Sequence, residues 1–200
     1  MKIVIVGAAG TLGSAIAAAL RQHHEIISAG RSHGDVRVDL KDFGSVQRLY
    51  DAVGPVDAVV AAAGSVHFGA LGETDSEQFA SGLADKLLGQ VNLVLAGQHR
   101  LNAGGSFTLT SGIIGDALFH GGANAAAVNA ALAGFVRNAA VELPRGLRIN
   151  VVSPTVFEES LGAYGEFFRG HQAVPVSRAA LAFSRSVNGA ETGRVFRVGY

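Results

Sequence analysis

Residues 2–20, KIVIVGAAGTLGSAIAAAL, leave the chain few folds to choose from. An apolar, β-rich run, KIVIV, meets an alanine-rich helical pattern across a turn in which Gly7, Gly10 and Gly13 stand at three-residue intervals. A Cβ at these points would block the close approach of a pyrophosphate to the backbone N–H groups at the helix N-terminus. Glycine turns alone are weak evidence, but a strand before and a helix after raise dinucleotide binding above a plain tight βα turn. No G-K-[ST] follows, so the turn is not a P-loop.

The rhythm continues along the chain. After the helical TLGSAIAAALRQH come the β-rich EIISAG and VRVDL, a helical pattern near DFGSVQRLYDAV, and the β-rich VDAVVAAAG. TDSE, Thr74 to Glu77, fits a helix-opening capping box, and a further helix is expected from Leu83 to about Leu101. GGSFTLTS reads as the next strand, His120 to Leu143 as a long helix ending before Pro144, and LRINVVSP as the strand after it. Helical segments around Glu158 to Phe168 and Ser177 to Val187 precede a last strand, RVFRV. Strands alternating with helices predict an α/β fold: a Rossmann-like doubly wound parallel sheet of about seven strands with helices on both faces. No repeat, low-complexity tract or linker interrupts it, so residues 1–200 are expected to form a single domain, long enough to bury about 70% of the unfolded surface.

Composition narrows the partners. Sixteen basic residues balance sixteen acidic ones, which gives no electrostatic reason to expect nucleic acid or an anionic membrane. Only 16% of residues are charged and 48% are apolar, a low surface charge that suggests another subunit covers part of the exterior. With no cysteine, disulfides, thiolate nucleophiles and cysteine-zinc sites are excluded, and no other metal set is read. The opening apolar run is short and passes into the glycine turn, so it reads as a strand and not a signal peptide; a cytoplasmic location is the expectation. The window Ala117 to Val136 has no charged residue and is long enough to span a bilayer, but it contains glycines, two asparagines and a histidine. That composition argues against a membrane span.

Gly30 to Gly34, GRSHG, fits the G-x-S-x-G nucleophile pattern, yet DVRVDL follows it where an elbow needs a helix. The same residues make better sense as the loop that reads the cofactor's ribose. NAD-binding sites place a carboxylate here for the 2′-OH, whereas this chain has Arg31 and Ser32, and a guanidinium suits a 2′-phosphate. NADP(H) is therefore the expected cofactor.

Taken with those residues, the chain resembles a short-chain dehydrogenase/reductase over nearly its whole length. The matching segments are GAAGTLG, VDL with Asp39, AAAG (Ala61 to Gly64) for the family's Asn-Asn-Ala-Gly, TLTSGIIG for the serine strand, ELPRGLRINVVSP, and TGRVFRV. The glycine spacing is nearer that of extended and atypical members, although the chain is too short for an extended one. The resemblance implies cofactor contacts at Gly7, Gly10, Thr11, Leu12 and Gly13, at Arg31, Ser32, Asp39 and Leu40, and at Ala62, Ala63 and Gly64. Further contacts are implied at Ser111, Asn129, Pro154, Thr155 and Val156.

The catalytic positions depart from the family. Its long helix carries a Tyr and, four residues on, a Lys; aligning AAAVNAALAGF on that pattern puts Ala125 and Asn129 there. The serine position falls on Gly112, beside Ser111, and the helical asparagine position on Lys86. Hydride delivery to a carbonyl leaves an alkoxide that must receive a proton, so a different donor is needed or the chemistry is gone. The candidates are His67, Lys86, Ser111 and His120, each of which also has an ordinary structural role to play. Two functions follow: an NADP(H)-dependent oxidoreductase acting on a small carbonyl or alcohol with a non-standard proton donor, or a non-catalytic NADP(H)-binding sensor or scaffold. The segment SPTVFEES with Tyr164, Phe167 and Phe168 looks like a lid over a small-molecule substrate and favours the first. The long helix is small and apolar on more than one face, with Ala126, Ala130 and Ala133 on one and Leu132, Phe135 and Ala139 on another, so a homodimer or homotetramer is expected.

Overall fold

The alternation seen in the sequence becomes one sheet of seven parallel strands in the computed structural model, which describes all residues, Met1–Tyr200. The strands are β1 (Lys2–Val6), β2 (Glu25–Gly30), β3 (Val36–Arg37), β4 (Val56–Ala61), β5 (Leu101–Thr110), β6 (Arg148–Pro154) and β7 (Val195–Val198). Their spatial order is β3-β2-β1-β4-β5-β6-β7. The chain builds outward from β1 to β3, then returns to β4 on the other side of β1, where Val6 sits beside Ala61. Helices leaving β1 and β4 therefore diverge to opposite faces and open a crevice at the carboxyl ends of those two strands, the place where such sheets bind ligands.

Side-chain alternation divides the core into two layers. Ile3 and Ile5 of β1 face Ile16 and Leu20 of α1 (Thr11–Leu20) and Phe183 and Val187 of α7 (Val176–Asn188). Val4 and Val6 face the layer formed by α2 (Phe43–Val53), α4 (Gly89–Gly97) and α5 (Ala123–Glu142), which contributes Leu49, Leu93 and Leu132. Between α2 and α4 the packing is close enough that a Cβ on Gly97 would strike the Tyr50 ring; Tyr50 is buried and donates its hydroxyl to Leu93 O at 2.7 Å. No helix is long and apolar enough to cross a membrane.

Several expected boundaries shift. The capping box exists one residue later, because Thr74 turns its hydroxyl back to Ala70 O and Asp75 takes the cap of α3 (Ser76–Gly82), exchanging hydrogen bonds with Gln78. The helix expected from Leu83 begins as a six-residue π-helical turn, Leu83–Leu88, continuous with α3 before it and α4 after it, and ends at Gly97. Leu101 already belongs to β5. VRVDL pairs only through Val36–Arg37, because the chain turns off at Asp39, whose N–H donates to Ser45 Oγ. The long helix starts at Ala123, not His120, since Gly121 takes a left-handed φ of 70°. The lid is a short turn, Glu158–Ser160, followed by α6 (Leu161–Tyr164).

Candidate active site

The crevice has three parts along its length, each fixed by a local feature of the sequence. At the first, Gly7 has φ +87°, and a Cβ there would meet Ala62 O at 2.5 Å. A Cβ on Gly13 would collide with the carbonyl of Gly7. These glycines bring the turn, β4 and the start of α1 together. Gly10 is the N-cap of α1 with no side-chain cap and no acidic residue in the first turn, so the amides there are free to face an anion.

A second hollow of about 140 Å³ is lined by Gly7, Gly30, Arg31, Asp39, Leu40 and Asp85 among others. Arg31 is exposed and makes no ion pair within the chain. The one acid between β2 and β3, Asp35, is turned away: its Oδ2 accepts from Ser28 N at 2.8 Å and Ser28 Oγ at 2.7 Å, which holds its carboxyl below the usual range. The loop between β2 and β3 thus offers no free carboxylate for a ribose 2′-OH; it brings Arg31 to the hollow, whose two acids, Asp39 and Asp85, come from other segments. Ser32 is exposed and does not line it.

The third part is a cleft of about 300 Å³ at the ends of β4, β5 and β6. Leu12, Ala62, Ala63, Gly64, Ser111, Asn129, Pro154, Thr155 and Val156 line it, as the resemblance implies. The Thr155 hydroxyl is buried there without a hydrogen-bond partner in the chain, a donor left for a bound molecule. Buried Gln90 fixes the end of β5, donating to Thr110 O at 2.9 Å and accepting from Thr110 N at 2.8 Å. The cradle of glycines and this orphaned hydroxyl fit an extended dinucleotide.

Lys86 is the one charged side chain in the cleft. It projects from the π-helical turn, and Gly64, at φ +117°, packs directly against it: a Cβ on Gly64 would lie 2.8 Å from the Lys86 Cα. Its Nζ donates to Asn129 Oδ1 at 2.9 Å and to Ser111 O at 3.2 Å. Burial among apolar walls lowers its pKa from 10.5 to about 8. An ammonium has three protons, so two are held by the protein and one remains for a ligand oxygen. Lysine and asparagine have thus exchanged helices relative to the family pattern, and the ammonium still reaches the same cleft.

The other candidates separate. Ser111 lines the cleft, whereas His67 and His120 do not. His67 gives its backbone N–H to Asn124 Oδ1 at 2.9 Å, and its ring folds over Gly69, so its neighbour Phe68 faces the cleft instead. His120 is exposed on an adjoining groove. Ala125 lies buried in the wall and brings no functional group. Of the three tyrosines, Tyr50 is in the core and Tyr200 bonds to Ser153 and Asp116; only Tyr164, on the lid, borders the cleft. Phe68, Val66 and Ile114 in the walls carried no sequence signal beyond being apolar loop residues.

The comparisons agree with this geometry. A family model described as enoyl-(acyl carrier protein) reductase matches residues 4–196. The protein lin1944 from Listeria innocua is 48% identical, with a TM-score of 0.97 and 98% of each chain covered. A small-chain dehydrogenase crystallised in complex with NADPH is 25% identical, with a TM-score of 0.89 over 99% of this chain and 96% of its own. A further small-chain dehydrogenase is 26% identical with a TM-score of 0.86, covering 99% and 95%. No curated protein matches the sequence. Since the family match runs from the first strand to the last and the sheet order agrees with it, the chain belongs to the short-chain dehydrogenase/reductase family of oxidoreductases.

Proposed function

We propose that the protein binds NADP(H) and interconverts a small carbonyl compound and its alcohol, with the Lys86 ammonium as the proton donor. The single observation that carries this is the placement of Lys86: a lysine with two protons anchored, one free, and a pKa of about 8, in the cleft where the family resemblance puts the reacting end. The bound cofactor would supply hydride. The chain's own part is to hold a carbonyl oxygen against the free N–H of Lys86 and to give it a proton as negative charge develops. Asn129 and Ser111 O fix the direction of that proton; the apolar walls exclude water and bring the acid close to working pH. Preference for NADP(H) rests on Arg31 and on Asp35 being occupied by Ser28.

Oxidation of NADPH with a panel of aldehydes and ketones tests the reading. Lys86→Met should lower turnover by roughly 10²- to 10⁴-fold, the range of a positioned acid. A comparable loss in Tyr164→Phe with Lys86→Met unaffected would move the donor to the lid. Tight NADPH binding with no turnover on any substrate would favour the sensor, a reading that Ala125 and Gly112, without functional groups, also fit.

The same reading includes a homo-oligomer. Ala127, Ala131, Gly134, Asn138 and Val141 form one outward stripe on α5; Val141 is 84% exposed and a Cβ at Gly134 would meet nothing. A stripe this small and apolar suits helix-to-helix packing across a two-fold axis.

A further inference from the structure

We infer that the groove beside the cleft holds an apolar hydrocarbon chain of the substrate, so that the reacting carbonyl is the end of a long, uncharged molecule. The inference rests on the proposed reaction for the position of the reacting end, and on different observations for the chain. The groove has a volume of about 690 Å³, more than twice that of the cleft, and shares Phe68 and Ile114 with it, so the two adjoin across these side chains. One lid roofs both: Tyr164 and Phe168 border the cleft and Phe167 borders the groove. The Phe68 ring centroid lies 5.4 Å from that of Phe167 and 6.3 Å from that of Tyr164, so one ring bridges the two spaces.

The chemistry of the lining decides the class. Ten of its fourteen residues are hydrophobic, and the only titratable one is His120. A phosphate, carboxylate or sugar leaving the cleft in this direction would lose its hydration against leucine, phenylalanine and alanine without a partner to replace it. A methylene chain gains at each step. Leu71, 70% exposed, and Leu118, fully exposed, stand at the same groove, a cost that a soluble surface rarely carries without an occupant. The shared wall and the shared lid make substrate the occupant, its chain passing Phe68 from the cleft into the groove.

Calorimetric titration of the NADPH-loaded protein with straight-chain primary alcohols from butanol to decanol tests this without turnover, since an alcohol and NADPH form a dead-end pair. Affinity should rise about fourfold for each added methylene until the groove is filled. Lys86→Ala should keep that dependence, which separates failure of the chain site from failure of the proton donor. Ala126→Gln, which places an amide in the groove, and Phe167→Ser, which opens its roof, should each flatten the dependence while NADPH affinity stays unchanged. Affinity independent of chain length, or a dependence unaltered in both groove variants, would overturn the inference. So would a flat dependence combined with a change of oligomeric state in Ala126→Gln, because the groove would then be a subunit surface.

Discussion

Replacing Asn129 by Asp puts a carboxylate where a neutral amide oxygen now accepts the Lys86 proton at 2.9 Å. At that separation the gross attraction between unit charges is about 6 kcal/mol for an effective dielectric of about 20. Bringing a carboxylate into a site that is 4% exposed takes back part of this. Pairs of this kind move a pKa by roughly one to three units. The sign is fixed: the carboxylate favours the ammonium, so the Lys86 pKa rises from about 8 toward its ordinary value or beyond it. Wild-type reduction should fall as pH passes through about 8, as the donor loses its proton; in Asn129→Asp that fall should move at least one unit to higher pH. Competitive acylation of lysines between pH 6 and 11, read by peptide mass spectrometry, measures the same titration without any turnover. A Lys86 titration that stays in place in Asn129→Asp would refute the claim that Asn129 Oδ1 holds this ammonium. The same method returning an ordinary pKa for wild-type Lys86 would remove the physical basis of its role as donor.

The depressed pKa is also a stability statement. Between pH about 8 and 10.5 the unfolded chain binds the Lys86 proton and the folded one does not, so this residue's contribution to stability rises across that window; below it the burial penalty is constant at roughly 3 kcal/mol. Lys86→Met should therefore unfold at a higher temperature than wild type at pH 7, by scanning calorimetry, with the gap narrowing from about pH 8 and constant again above about 10.5; a less stable variant at pH 7 would mean the ammonium is not destabilised by burial. Arg31→Ala should weaken NADPH binding roughly tenfold or more and leave NADH binding unchanged, by calorimetric titration, as loss of a charge-assisted contact requires. Ala131→Arg, in the outward stripe of α5, should shift the mass seen by light scattering from oligomer to monomer; an unchanged mass would place the interface elsewhere.

The sheet was legible because its strands are mostly apolar runs with a helix before the next, β2 and β3 alone being joined without one, and the glycine turn marks where the first pair begins. The crevice that the glycine turn and Arg31 border was legible for a related reason: Gly7, Gly10, Gly13 and Arg31 are all placed by local turns. The surroundings of Lys86 were not. Lys86 and Asn129 are 43 residues apart and meet only because the π-helical turn Leu83–Leu88 packs against α5, which no periodicity announces. His67 read as a candidate donor; its backbone hydrogen bond to Asn124 and the space over Gly69 leave its neighbour Phe68 facing the cleft. The capping box slipped by one residue because a threonine hydroxyl found a carbonyl four residues back, a choice between two local hydrogen bonds of similar strength.

The π-helical turn at Leu83–Leu88 amounts to one residue more than an ordinary helix would use over the same span. Each residue of an α-helix advances the side chains by about 100°. Deleting a single residue between Ser76 and Ala84 would let α3 and α4 merge into one regular rod, and Lys86 would swing by about a quarter turn or more out of the cleft. Such a deletion variant should be as helical as the parent or more so, and should have lost its proton donor with no change in amino acid at that position. Insertions and deletions in this stretch are then changes by which a protein of this architecture could gain or lose its reaction while Lys86 itself stays in the sequence.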